Sequence, residues 1–325
     1  MSTGEARRNG AVFWGVALGL VAAAVVLTLL VKNEYPFFAG YVILQFIVLA
    51  TAWNILGGYA GYVNFGTSAF FGLGVYTAVA LFKGMAAPLP AQIAAAALAG
   101  AALGLGVGVL TLRMRGIFFS IATIALTIVI ETVIVNWKYV GGAAGIPLLR
   151  PPVTWPFDSY VKMLFVVQAV LAVIALAVAR YVQGSWIGRG MQALRDDEIA
   201  AECTGVPTLK LKVLACVASG ALMSAAGAPS AMYLSFADPT SAFNLNYSVS
   251  ALAMAMIGGT AHWIGPVLGA LLLGTTQQLL TVTISSEINV LVLGLMLVVF
   301  VVGAPDGLIG LFRRLCGGGA KRERS

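Results

Sequence analysis

Residues 11–31 read AVFWGVALGLVAAAVVLTLLV, a run without a single charged side chain. A helix that crosses ~30 Å of hydrocarbon needs about 20 mostly apolar residues, so this run is long enough for one crossing. Arg7 and Arg8 precede it, as in a signal peptide, but a signal peptide has an apolar core of about 7–15 residues and a small-residue cleavage site. Here the run ends at Val31, followed by Lys32-Asn33-Glu34. We therefore expect a retained first membrane span.

The same pattern repeats along the chain. Of its 325 residues, 60% are hydrophobic and 10% are charged, whereas soluble domains average about 45–50% apolar and about 25% charged. A soluble fold is therefore excluded, and a membrane β-barrel would show short alternating segments instead. The sequence predicts an all-α polytopic membrane protein with about ten transmembrane helices. The predicted spans are 11–31, 37–56, 64–82, 91–112, 117–137, 160–182, 211–234, 248–258, 264–283 and 288–303.

One predicted span differs from the others in length. Residues 248–258 are too few for a straight crossing. We expect a half-helix or a re-entrant segment, which a membrane protein tolerates only within protein or beside a cavity.

The formal net charge of +7 is best explained by orientation, because basic residues collect in cytoplasmic loops. No basic run alternates with aromatic residues, so a nucleic-acid partner is not expected. We expect both termini to be cytoplasmic, with a cytoplasmic N-terminus at 1–10, one transmembrane domain at 11–312 and a basic tail at 313–325. This orientation leaves few basic residues outside: Lys32, Lys83, Lys138, Arg150 and Lys162.

Small residues recur at helical spacing within the spans. Gly100, Gly104 and Gly108 are four residues apart, and Gly265 and Gly269 repeat that spacing. Small residues allow helix backbones to approach closely in lipid. The pattern predicts a tightly packed bundle and does not specify a function.

The longest cytoplasmic loop, residues 183–210, carries the most information. It predicts a short helix from Arg189 to Thr204, ended by Gly205 and Pro207. The centre of the helix is acidic, whereas helices that lie on the membrane surface usually carry Lys and Arg. We favour docking into a groove of a soluble protein over a helix lying at the headgroups.

This loop resembles the cytoplasmic "EAA" loop of ABC-importer permeases, in the variant EIAAE at 198–202 with Gly205. The chain is similar to the branched-chain amino-acid permease family of the LivM type over about residues 40–312. The further motifs that carry the resemblance are GGYAGYVNFG at 57–66, RGIFFSIAT at 115–123, GGT at 258–260 and WIGPVLGA at 263–270. His262 and the residues from Gly61 to Thr67 depart from the usual family pattern, which leaves the substrate open.

The resemblance implies an ABC-importer permease fold and a permease subunit in the bacterial plasma (inner) membrane. Such a subunit moves branched-chain amino acids, or a related small polar solute such as urea or a short amide, inward. Two separate ATPase subunits would bind ATP and Mg²⁺, because this chain has no G-x-x-x-x-G-K-[ST] phosphate loop. A second related permease (LivH-like), a soluble substrate-binding protein and membrane lipid are the other expected partners. Neither a catalytic residue nor a metal or cofactor is expected here.

Within the loop, the resemblance assigns ATPase docking to a charged and alanine-bearing set. The alanines would permit close approach, Gly205 would permit the turn, and Glu198 would pair with a basic group of the partner. The expected docking residues are Arg195, Asp197, Glu198, Ala200, Ala201, Glu202 and Gly205.

A second set of residues follows a glycine-rich break and is expected to line the translocation pathway. Broken backbone and hydroxyl groups can offer weak, reversible contacts to a small solute. For any one of these residues, ordinary helix packing is the alternative. The expected pathway residues are Asn64, Phe65, Thr67, Ser68, Phe70, Phe71 and Glu131.

Glu131 is the ionisable residue deepest in a predicted span, and such residues usually face the interior of the bundle. It is expected either to act in the pathway or to form a hydrogen bond between helices. An ion-coupled secondary transporter is the alternative function, but coupling needs intramembrane ionisable groups and only Glu131 qualifies. We do not expect a membrane-embedded enzyme, because one histidine and one buried acid are too few to form a catalytic site.

Overall fold

The computed structural model describes residues 3–111, 114, 116–148, 157–283, 291, 294–299 and 307–316. Most of them are helical, because an apolar span can satisfy its backbone N–H and C=O groups within a helix. Short elements lie between the helices: the strands β1 (Ile146–Pro147) and β2 (Phe236–Ala237), and 3₁₀ turns at Lys138–Val140 and Gly142–Ala144. The α-helices are α1 (Thr3–Leu30), α2 (Tyr35–Asn54), α3 (Thr67–Met85), α4 (Leu89–Thr111), α5 (Ile117–Asn136), α6 (Tyr160–Gly184), α7 (Trp186–Asp196), α8 (Glu198–Cys203), α9 (Thr208–Leu234), α10 (Pro239–Ala242), α11 (Asn246–Gly258), α12 (Gly265–Thr283) and α13 (Gly307–Cys316).

Among the described residues, seven helices are long and apolar enough to cross a membrane: α1 to α6 and α9. They coincide closely with the first seven predicted spans, so the all-α polytopic architecture is confirmed. α11 has 13 residues, about 20 Å of helix, which is too short for a crossing. The tenth predicted span, 288–303, lies mostly outside the described residues. Within it the structure describes 291 and 294–299, which are helical. The total number of spans therefore stays a prediction.

The connections define two ends of the bundle. α7 and α8 lie between α6 and α9 at one end, which we call the loop end. α9 leads away from it to β2, which pairs antiparallel with β1 at the opposite, strand end. This pairing joins the segment that follows α5 to the segment that follows α9. The Arg180 guanidinium near the end of α6 lies 4.5 Å from the centre of the Phe13 ring, so α1 also begins at the loop end.

The most extensive contact between long helices joins α4 to α9, and glycines make it possible. A Cβ added at Gly104 would lie 2.5 Å from the carbonyl oxygen of Cys216, and one at Gly100 would overlap the backbone of Gly220. One further turn along α4, Gly108 faces Val213. The predicted close-packing role of this glycine row is therefore confirmed, and α9 is its partner.

The second glycine pair packs α12 against α11. A side chain at Gly265 would overlap the backbone of Gly259, and one at Gly269 would overlap Met254. The short helix α11 is thereby held inside the bundle, where Ala251, Ala253 and Ala255 have no solvent exposure.

Helix α1 lies at the periphery of the bundle. Leu18, Leu20 and Leu30 are exposed, whereas Leu49 of α2, Phe71 of α3 and Met223 of α9 are fully buried. The core therefore forms from α2, α3, α9 and α11, and α1 leans against α6.

The α4–α9 contact gives a matched pair of substitutions. Gly104→Ala would place a methyl group against the Cys216 carbonyl, and such overpacking costs about 1–3 kcal/mol. Gly106→Ala, on the same helix, meets nothing within 4 Å and should be neutral or stabilising by up to about 1 kcal/mol. Thermal unfolding of the purified chain in detergent should show a lower Tm for the first variant only. Equal Tm values would contradict the packing.

Candidate functional site

The first element of the site is an interruption between α2 and α3, which we call the 55–66 segment. A π-helical turn at Ile55–Tyr59 follows α2, and the backbone from Ala60 to Gly66 is not helical. Buried backbone groups that lose their helical partners cost free energy unless other groups bind them. The segment therefore needs polar side chains around it.

Side chains of α2 and α5 supply several of these hydrogen bonds. Trp53 Nε1 donates to the carbonyl of Asn64 at 2.7 Å, and Ser120 Oγ donates to the carbonyl of Val63 at 2.8 Å. The backbone N–H of Phe65 donates to Thr123 Oγ1 at 3.1 Å. The Asn64 side chain accepts from the Gly66 N–H at 2.7 Å. Asn64 and Phe65 thus fix the shape of the break.

Next along the chain, Ser68 lies in a group of buried hydroxyls. Its N–H donates to Ser248 Oγ at 3.0 Å, the Ser248 hydroxyl donates to Ser68 Oγ at 3.1 Å, and Thr127 Oγ1 lies 3.5 Å from Ser68 Oγ. The Thr67 hydroxyl is buried without a hydrogen-bond partner among the described residues. The structure therefore brings α3, α5 and α11 together at uncharged polar groups.

Aromatic side chains lie on the strand-end side of these hydroxyls. The Phe71 ring is buried, with its centre 4.4 Å from the centre of the Tyr247 ring. Phe70 is also buried, and its carbonyl accepts a hydrogen bond from Ser224 Oγ of α9 at 2.6 Å. Of the seven expected pathway residues, Asn64, Thr67, Ser68, Phe70 and Phe71 are buried, and Phe65 is partly buried.

Glu131 does not join this group by any hydrogen bond or ion pair with another described residue. It lies one turn beyond Thr127 on α5 and is partly exposed. Neither of the roles expected for Glu131 is tested by these contacts, and both stay predictions.

The second element of the site is the loop between α6 and α9. The sequence predicts one helix from Arg189 to Thr204, and this is wrong: α7 ends at Asp196, and α8 begins at Glu198. The residue between them, Asp197, is extended, and its Oδ1 accepts from the N–H groups of Ile199 and Ala200 at 2.9 and 3.1 Å. Asp197 thus caps a new helix, a role in which aspartate is common.

The two short helices have distinct inner and outer faces. Met191 and Leu194 of α7 and Ala201 of α8 are buried against the bundle. Among the expected docking residues, the exposed set is Arg195, Asp197, Ala200, Glu202 and Gly205. Gly205 has φ +83 and ends α8 in the left-handed region, as its predicted turn role requires.

Glu198 and Ala201 therefore face the chain's own bundle. The Glu198 carboxylate forms an ion pair with Lys212 of α9 and accepts a hydrogen bond from the Tyr62 hydroxyl at 2.8 Å. The side chains of Lys212 and Glu198 are 7% and 15% exposed. The basic group expected on a partner is, in the structure, Lys212 of the same chain. Sequence reasoning missed Lys212 as a functional residue, although a lysine in an apolar helix is a signal for a buried partner.

Arg195 also reaches the bundle, although the residue is exposed. Its Nη1 donates to the carbonyl of Gly58 at 2.8 Å. Gly61 lies beneath it with φ +80, and a Cβ there would lie 3.0 Å from Arg195 Cγ. The loop is therefore attached to the 55–66 segment at two points, Gly58 and Tyr62, on either side of Gly61.

Comparisons with known proteins match most of the chain to one family. Residues 35–301 match the family described as "Branched-chain amino acid transport system / permease component". The chain is 26% identical over 314 residues to the high-affinity branched-chain amino acid transport system permease protein LivM of Escherichia coli (strain K12), covering 86% of this chain and 72% of that protein. It is 32% identical over 145 residues to the ribose import permease protein RbsC of Haemophilus influenzae, covering 42% of this chain and 44% of that protein. It is also 24% identical over 157 residues to the LivH permease protein of Salmonella typhimurium, covering 47% and 50%.

The Glu198–Lys212 pair gives a test of how the loop is held. Lys212→Met removes one partner of a largely buried ion pair and should destabilise the chain by about 3 kcal/mol, because an uncompensated charge remains. The double variant Glu198→Gln/Lys212→Met should be more stable than Lys212→Met alone. Lys210→Met, at an exposed neighbouring lysine, is the control and should keep the wild-type Tm. A Tm of Lys212→Met equal to that of the control would show that the pair does not hold the loop.

Proposed function

The chain belongs to the family of branched-chain amino acid transport system permease components, and we propose that it is the membrane subunit of an ATP-driven importer. The proposed cargo is a branched-chain amino acid or a related small polar solute, and the proposed location is the bacterial inner membrane. We propose as partners two ATPase subunits that bind ATP and Mg²⁺, a second related permease and a soluble substrate-binding protein. In this proposal the chain itself carries no cofactor and no catalytic residue.

The proposed ATPase contact is the outer face of α7 and α8 at the loop end, which we place in the cytoplasm. Ile199 is 60% exposed and Trp186 is 62% exposed. Contiguous exposed apolar patches mark contacts with a protein or a membrane, and we propose that these two side chains contribute to a contact with the ATPase. Ala200 and Glu202 lie on the same exposed surface, whereas Glu198 and Ala201 support it from below. We therefore retain Ala200 and Glu202 as contact residues and propose a positioning role for Glu198.

One observation supports the proposed coupling between this surface and transport. The loop is attached to the 55–66 segment through the Arg195–Gly58 and Glu198–Tyr62 hydrogen bonds. Asn64 lies two residues after Tyr62, and it fixes the break that leads into α3. We propose that ATPase closure moves α7 and α8 as a unit and that these two contacts move the 55–66 segment with them.

Movement of the 55–66 segment would act on the interior through its neighbours. The N–H of Phe65 is hydrogen-bonded to Thr123 of α5, and the N–H of Ser68 is hydrogen-bonded to Ser248 of α11. Uncharged hydroxyl contacts of this kind are worth about 1 kcal/mol each, so they can exchange as helices shift. The group therefore suits a pathway that opens and closes, and we propose it as the point of alternating access.

The direct test is transport by the complete assembly. The tagged chain should purify from its native membrane with ATPase subunits, and the complex in proteoliposomes should take up radiolabelled leucine, valine or urea only with ATP. Uptake should persist when ionophores collapse the ion gradients. Uptake that needs a gradient and not ATP would replace the proposal with an ion-coupled secondary transporter.

A substitution on the exposed face separates docking from folding. Ile199→Glu should reduce the ATPase recovered with the chain about tenfold, the effect of losing ~1.4 kcal/mol of binding free energy. The Tm of the chain itself should not change, because Ile199 is exposed. Met85→Glu, at an exposed methionine at the strand end, is the control and should keep normal ATPase recovery. Normal recovery with Ile199→Glu would contradict docking at this face.

A further inference from the structure

A cavity of about 540 Å³ opens at the strand end, between the end of α9, β2 and the start of α11. Sites for small molecules usually have volumes of about 300–1,000 Å³. The lining combines one carboxylate with neutral hydrogen-bonding groups and aromatic rings. It includes Asp238, Asn244, Asn246, Phe46, Phe236 and Tyr247.

Among the described residues that line the cavity, Asp238 is the only carboxylate, and none is a lysine or an arginine. Its Oδ1 accepts from the N–H of Ser241 at 2.9 Å and from Thr240 Oγ1 at 2.6 Å, which fixes the side chain. Burial acts to raise the pKa of the Asp238 carboxyl, but the hydrogen bonds from Ser241 and Thr240 outweigh it and hold this pKa below its usual value. The cavity therefore contains a fixed negative charge at neutral pH.

The aromatic rings add an apolar surface that also favours a cation. Phe46 and Tyr247 lie with ring centres 6.2 Å apart. The faces of such rings attract an ammonium group within about 6 Å, and their area is suited to contact with aliphatic carbon. A solute that carries both a protonated amine and a short hydrocarbon part thus matches the lining better than a neutral amide does.

The position of the cavity connects it to the interior group of hydroxyls. Tyr247 lines the cavity on one side and packs against Phe71 on the other. The next residue, Ser248, is hydrogen-bonded to Ser68. The Tyr247–Phe71 contact is therefore the boundary between the cavity and the proposed pathway residues.

We propose that this cavity receives the transported solute on the outer side of the membrane, and that Asp238 selects solutes with a protonated amine over neutral amides and urea. The inference rests on the proposed function, because a receiving site has meaning only in a transporter. It adds a selecting residue within the permease itself, at a position outside the residues expected from the sequence.

The test uses the full chain in lipid nanodiscs and four probes of similar shape: leucine, 3-methylbutylamine, 4-methylpentanamide and 4-methylpentanoate. Saturation-transfer NMR should show saturable binding of leucine and 3-methylbutylamine. Asp238→Asn should weaken the binding of 3-methylbutylamine about tenfold, because hydrogen bonds between charged groups are roughly twice as strong as neutral ones. Asparagine can still cap α10, so this variant should fold.

Asp158→Asn is the control, because Asp158 is an exposed acid that does not line the cavity. It should bind all probes as the wild type does. Equal binding of the amide and the amine, equal weakening by both variants, or no saturable binding of any probe would overturn the proposal.

A second measurement keeps this inference separate from the proposed function. Uptake into proteoliposomes is measured for the wild type and for Asp238→Asn. If wild-type uptake depends on ATP and both proteins prefer the same solutes, the selecting role is overturned and the importer proposal stands. If wild-type uptake does not need ATP, the importer proposal is overturned instead.

Discussion

The structure depends on the satisfaction of backbone hydrogen bonds where α2 and α3 are interrupted. A helix in a membrane binds its own N–H and C=O groups, and a break exposes them in a medium that offers no water. Here Trp53, Ser120 and Thr123 form hydrogen bonds with backbone groups of the 55–66 segment. Arg195 binds the Gly58 carbonyl from the loop end. The break is therefore stable only while parts distant in sequence stay in contact with it.

This requirement explains why the loop is attached to the 55–66 segment by two hydrogen bonds between parts distant in sequence. Arg195 and Gly58 are 137 residues apart, and Glu198 and Tyr62 are 136 apart. Separating them would remove the Arg195 hydrogen bond from the Gly58 carbonyl and break the Tyr62–Glu198 hydrogen bond, and the loss of buried hydrogen bonds is costly. A displacement of α7 and α8 is thus more easily passed to the 55–66 segment than absorbed between them.

Local patterns predicted much of the fold. Apolar blocks placed the first seven spans because hydrocarbon thickness sets their length, and the row from Gly100 to Gly108 indicated close packing because spacing of four residues selects one helix face. The break at Asp197 was missed, because the same acidic residue fits a helix interior on a charged face. The Glu198–Lys212 pair and the cavity beside Asp238 depend on how separate helices meet, which one sequence does not encode locally. Only such contacts between separate helices distinguish a buried acid that positions the loop from an exposed acid that contacts a partner.

The peripheral place of α1 has an evolutionary consequence. It leans on α6, exposes most of its large side chains, and lies before residue 35, where the family match begins. Selection on its sequence should therefore act mainly on hydrophobicity and length, with Phe13 beneath Arg180 as a local exception. Among homologous chains, substitutions should accumulate fastest in α1 and slowest at the glycines between α4 and α9.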